Sequence, residues 1–310
     1  MKKSLLLLFA AFATLLVGCQ KEDIEGQEQQ EQESLKGMRE DKVDGVRYLF
    51  DLQYNTAIVK GCSQYHTEAV TIPDTIHYEG EDFKVTSIDD EAFHNCSKIP
   101  AINLPESVTS IGWGAFWGCS SLKSITIPEG VTSIGNGAFS GCSSLTSITI
   151  PEGVTSIGYY TFSWCTYLTS ITIPEGVTSI GTDAFYECSS LTSIILPESV
   201  TSIGNSAFYK CSSLTSITIP ESVTSIGESA FFRCYNLTSI TIPEGVTSIG
   251  ESAFYYCRSL RTVKVMAETP PTAHNSFDNS YDKTLYVPAK AVSTYRSTYP
   301  WYNFGSILGF

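Results

Sequence analysis

Eight cysteines recur at a fixed interval of 23 residues: Cys96, Cys119, Cys142, Cys165, Cys188, Cys211, Cys234 and Cys257. Thiols in such a register have three chemistries open to them: disulfide formation, metal binding and nucleophilic attack. In-register side chains point in parallel, whereas a disulfide needs a dihedral of about 90° at its sulfurs, so the column reads instead as small buried hydrophobes. Zinc requires ligands converging from different directions with spacings such as C-x2-C, and no such pair occurs. Buried thiols also lack the electropositive, accessible setting of a reactive cysteine. His66, His77, His94 and His274 are scattered, and neither G-x-S-x-G nor H-E-x-x-H is present. We therefore expect no enzyme, no cofactor and no metal site; a catalytic cluster would have to come from the two ends of the chain.

Two further columns carry functional groups at the same period. Glu106, Glu129, Glu152, Glu175, Glu198, Glu221 and Glu244 each follow a proline. One carboxylate per repeat suits a solvated turn; calcium bridging is the other reading, disfavoured because hard cations take several carboxylate oxygens. The second column is aromatic for much of its length: Trp117, Ser140, Ser163, Tyr186, Tyr209, Phe232 and Tyr255, with Trp113, Tyr159, Tyr160, Trp164 and Tyr256 beside it. Such rings form either a protein or glycan contact surface, since rigid amphipathic rings give contact area at low entropic cost, or a ladder that packs on itself and shields the repeat edges.

The elements that position these columns follow from the period. A unit of this length cannot bury its own apolar face and needs a neighbour on each side, so the chain is a repeat solenoid. In Leu145 to Pro151 the alternation turns Ile148 and Ile150 inward and Ser147 and Thr149 outward, a half-buried strand that Pro151 ends. Pro-Glu-Gly supplies a turn. A second short extended piece turns Val154 and Ile157 inward, Gly158 permits a corner, and the segment ending in Phe162 and Cys165 has the three-residue spacing of a short helical turn. Stacked repeats then lie about 4.8 Å apart, with seven or eight inward side chains each. The outward Ser and Thr columns make a flat, uncharged face.

The ends differ from the array. Met1 to Gly18 has a basic start and an apolar run, a secretion signal. Leu16-Val17-Gly18-Cys19 resembles the lipobox of bacterial lipoproteins, which implies lipid on Cys19; an ordinary signal peptide cut nearby is the alternative. Residues 19–42, rich in Glu, Gln and Lys, read as a disordered tether. Its opening, Cys19-Gln20-Lys21-Glu22-Asp23, is similar to the signal that sends lipoproteins to the outer surface in some Gram-negative anaerobes. Residues 43–95 form an N-terminal cap and first atypical repeat, with a hairpin around Tyr78 to Phe83; residues 96–266 are the array, and 267–310 a C-terminal cap. A net charge of −13 excludes nucleic acid as a partner, and beyond the leader no stretch is long enough to span a membrane.

The unit L-x-S-I-x-I-P-E-x-V-T-S-I-G-x-x-A-F-x-x-C resembles the BspA-type leucine-rich repeat, over about residues 85 to 266. The resemblance implies a leucine-rich-repeat right-handed superhelix, mainly short β-strands with a short helical turn per rung, capped at both ends. It also implies a surface-exposed outer-membrane lipoprotein of a Gram-negative bacterium. The expected function is non-enzymatic adhesion, binding host or bacterial proteins or glycans through an extended repeat face; an envelope scaffold or spacer is the alternative. Membrane attachment would be through the lipid alone.

Overall fold

The computed structural model describes residues 37–278 and 280–310, so the leader, Cys19 and most of the tether lie outside the described residues. It is a β-solenoid of about ten turns. Each full rung places a short strand, Ser-Ile-Thr or Ser-Ile-Ile, on one side, and neighbouring strands pair in parallel and in register at a separation of 23 residues, as Ser147–Thr149 does with Ser170–Thr172 and Ser193–Ile195 with Ser216–Thr218. A second parallel sheet joins Ser179–Ile180, Ser202–Ile203, Ser225–Ile226 and Ser248–Ile249. The alternation holds: Ser147 and Thr149 are exposed while Ile148 is buried. In one rung Leu191, Ile194, Leu196, Val200, Ile203, Ala207, Phe208 and Cys211 all point inward and are buried, at the upper end of the expected range. Threonines beside the second sheet tie the rungs further; Thr201 Oγ1 donates to the Thr178 carbonyl at 3.2 Å, and Thr224 repeats the bond to Thr201 at 3.3 Å.

The third side corrects the expectation of a helical turn in every rung. It is a run of single turns, with no helix. Within one rung the N–H groups alternate in direction. Those of Ala207, Tyr209 and Cys211 close turns to Gly204, Ser206 and Phe208, while those of Ser206, Phe208 and Lys210 each cross to the next rung at 2.7 Å. A 3-10 helix would spend every N–H inside its own rung and leave its neighbours unpaired. Left-handed backbone at two positions per rung produces the alternation: Gly114 and Gly118 hold φ of 56° and 73°, and Asp183 and Glu187 hold 55° and 58°.

The glycine at the corner also acts differently from the corner freedom anticipated for it. Gly204 has no left-handed φ; a Cβ there would lie 2.6 Å from the backbone of Gly181 and Thr182 in the preceding rung. Its role is close approach. Gly204→Ala is therefore expected to push two rungs apart and to lower stability by about 1–3 kcal/mol, the usual range for overpacking. Urea denaturation checks this against Ser216→Ala on the exposed strand face, and equal midpoints for the two variants would refute the clash.

Both ends are sealed by different structure. Met38–Val43, Val46–Asp51 and Thr56–Gly61 form an antiparallel meander, and Thr75–Tyr78 pairs with Glu81–Ile88 as the expected hairpin. Thr56–Gly61 then pairs in parallel with Glu81–Ile88, which joins the meander to Ser110–Ile111 and Ser133–Ile134 of the first rungs. The expected tether thus yields its last residues, from Met38, to an exposed edge strand. Phe50 stacks on Tyr78 at 4.3 Å and meets Phe83 edge-on. At the far end Thr284–Val287 and Ser306–Gly309 continue the ladder of Ser239–Ile242 and Thr262–Val265. Residues 289–297 are helical, and the buried Tyr295 and Trp301 donate hydrogen bonds to the carbonyls of Ala267 (2.8 Å) and Pro271 (3.0 Å).

Candidate functional site

The thiol column faces the core and is a structural device. From Cys119 to Cys257 each Sγ donates to the carbonyl of a phenylalanine in the preceding rung, as Cys188 does to Phe162 (3.0 Å) and Cys211 to Phe185 (3.2 Å). The thiols are thus more than the small hydrophobes that spacing implied. Burial holds them protonated, with Cys142, Cys165, Cys188, Cys211 and Cys234 well above the ordinary thiol range and Cys119 and Cys257 pushed up to about 12. Cys62 in the N-terminal cap is the contrast. Its hydrogen bond with the Cys96 thiol, aided by Arg47 and Lys42, lowers its pKa.

The glutamate column offers little to a cation. Glu198 accepts the backbone N–H of Glu221 at 3.1 Å, as a solvated turn residue does. Among the described residues no group of three or more His, Cys, Asp or Glu is placed to hold a metal ion.

The outward residues of the turn side divide the aromatic set in two. Tyr186, Tyr209, Phe232 and Tyr255 stack face to face, with centroids 4.7, 4.9 and 6.0 Å apart and planes within 12° of parallel. These rings are half-buried against one another, and Lys210 and Arg233 lie over Tyr209 and Phe232. Lys210 is also ion-paired with Glu187. Self-packing accounts for this stack. Tyr256 stands edge-on to Phe232 and Tyr255 and keeps 37 % exposure.

Trp113, Trp117, Tyr159, Tyr160 and Trp164, in contrast, are exposed. Trp113 and Trp117 meet edge to face at 5.8 Å. The column is interrupted by Ser140 and Ser163, and there the turn side opens into a notch of about 640 Å³, lined by Trp117, Ser140, Gly141, Tyr160, Ser163, Trp164, Asp183 and Tyr186. Trp164 leans on Tyr186 at 5.8 Å, tilted by 46°. The negative charge of Asp183 raises the Tyr160 pKa, and burial raises that of Asp183. The notch therefore has aromatic walls, a floor of small residues and one carboxylate. Asp183, Ser140, Ser163 and Gly141 were not anticipated as site residues. The two serines in an otherwise aromatic column were the available signal.

A model of the BspA type leucine-rich repeat region matches residues 76–167 and 155–284, in six copies. Among solved structures, the leucine-rich repeat protein of T. pallidum is 31% identical, with 64% of this chain and 91% of that chain covered and a TM-score of 0.57. A leucine-rich cell surface protein of Faecalibacterium prausnitzii is 25% identical, covering 87% and 94% of the two chains with a TM-score of 0.37. The pneumococcal vaccine antigen PcpA is 15% identical, covering 88% and 98%, with a TM-score of 0.39. No curated protein matches the chain.

Proposed function

The chain belongs to the BspA-type leucine-rich repeat family, and from that premise we propose that it is a non-enzymatic cell-surface lipoprotein that binds a protein or glycan through the turn side of its array. Leucine-rich repeat proteins are generally non-enzymatic and generally bind proteins. The observation that carries the reading is the set of exposed rings gathered on one side, around a notch, where the same column elsewhere covers itself. Rigid rings left in water on a stiff scaffold are contact groups: they bring large area and lose little entropy on binding. The rest of the proposal follows from the residues ahead of the array. Residues 1–18 would be removed as a signal peptide, Cys19 would carry lipid in the outer membrane, and the segment after it would direct the protein to the cell exterior.

Protease shaving of intact cells tests the placement, following a tag after Phe310 with a periplasmic protein as leakage control. Loss of the tag with the control intact is the expected result. Protection that ends only when the outer membrane is broken would overturn surface exposure and leave an envelope scaffold as the reading.

A further inference from the structure

We propose that the notch between Trp117 and Tyr186 is a binding subsite for a neutral polysaccharide chain. This deepens the preceding reading and rests on the turn side being the binding face. Its shape comes from two consecutive lapses in one column. Where other rungs place Trp, Tyr or Phe, the rungs at 140 and 163 place serine, and Gly141 keeps the backbone beside Ser140 bare. Trp117 and Tyr186 are three rung steps apart, about 14 Å at the spacing of neighbouring strands. The opening is a trough along the solenoid axis, suited to a chain running past successive rungs.

The chemistry of the lining selects the occupant. A pyranose ring has an apolar C–H face and a rim of hydroxyls, so it is bound by aromatic faces that take the first and polar groups that take the second. Trp117, Tyr160 and Trp164 supply exposed rings at 39, 52 and 49 % exposure. Asp183 offers a carboxylate to sugar hydroxyls, and Ser140 and Ser163 lie between the rings. No lysine or arginine lines the notch, and the protein carries a charge of −13, so a sulfated or carboxylated chain would meet repulsion without a counterion. A protein ligand fits less well. A stable protein interface buries about 800 Å² per partner around an apolar centre; the notch is far smaller, with Ser140, Gly141 and Ser163 between its rings.

Native gels cast with neutral polysaccharides (a β-glucan, a galactomannan, a xyloglucan) test this, with purified matrix proteins as the protein arm. At least one polysaccharide is expected to retard the wild-type protein. Trp117→Ala and Trp164→Ala should each weaken that binding about tenfold or more, a loss of about 1.4 kcal/mol or more, while Tyr255→Ala, at the far end of the self-covered stack from the notch, leaves it unchanged. Ser140→Tyr, which restores the column's own ring, should abolish retardation without lowering the melting temperature. No retardation by any of the polysaccharides, or retardation unchanged in both tryptophan variants, overturns the proposal. If matrix protein is then bound by wild type and lost in the tryptophan variants, the binding-face reading stands alone; if neither ligand binds, both fall.

Discussion

Raising the pH from 8 to 11 is expected to unfold the repeat array. An unfolded cysteine loses its proton at about pH 8.5, whereas burial holds the seven column thiols from Cys119 to Cys257 protonated to much higher pH. A folded pKa above the unfolded one means that the contribution to stability is complete below the unfolded pKa and drains away as pH rises towards the folded one. In that window each thiol removes about 1.4 kcal/mol per pH unit. The seven thiols together give a slope of about 10 kcal/mol per unit, comparable with the whole stability of an ordinary domain. Cys62 has the opposite sign, since its pKa is lowered in the fold, but it is one group against seven. Tyr48, raised to about 12 by burial, adds to the loss above pH 10. Circular dichroism followed against pH, with urea midpoints at each pH, checks this. Replacing Cys142, Cys165 and Cys188 with alanine one at a time should flatten the slope by about 1.4 kcal/mol per unit for each thiol removed; a slope insensitive to these changes would refute thiol titration as its cause.

Phe185→Ala is expected to be the most damaging single truncation in the array. The ring is fully buried between Phe162 and Phe208, stacked on them at 5.5 and 5.3 Å, in a column that runs from Phe93 to Phe277. Removing a buried phenylalanine costs about 3–5 kcal/mol through lost burial and the cavity left behind. A rung touches only its two neighbours, so the lesion weakens both of its interfaces and nothing farther along compensates. Thermal melting should show a fall of at least about 6 °C or a split into two transitions as the halves melt apart. By comparison Tyr209→Ala, in the half-buried outer stack, loses two ring–ring contacts, about 1–3 kcal/mol together, and leaves no closed cavity. Equal melting shifts for the two variants would contradict the difference in their burial.

The period and the inward positions were legible because they depend on little beyond alternation: Ile148 and Ile150 had to point the same way, and each needed a rung above and below. The third side was misread for a physical reason. A three-residue spacing such as Phe162 to Cys165 is shared by a 3-10 helix and by successive separate turns, and only the backbone handedness between them decides. The deciding residues were visible as glycine pairs four apart, Gly114 with Gly118 and Gly137 with Gly141, all with positive φ. Later rungs disguise the requirement by placing Tyr160, Trp164, Asp183 and Glu187 in the same conformation. The edge strand Met38–Val43 has no apolar alternation to announce it; its signal was the Asp44-Gly45 pair, with φ of 49° and 86°, the two-residue hairpin turn. Spacing could not divide the aromatic set, because whether a ring is spoken for depends on its neighbour. Tyr209 finds a ring on each side, while Trp117 faces a rung that carries serine.

On both sheets of the array interior, hydrogen-bonded partners are 23 residues apart, as Ile148 is from Ile171 and Ile203 from Ile226. Adding or removing one 23-residue unit of the array interior would hand every donor an equivalent acceptor. The solenoid is therefore a molecule whose length changes in quanta of about 4.8 Å, each step leaving the ladder complete.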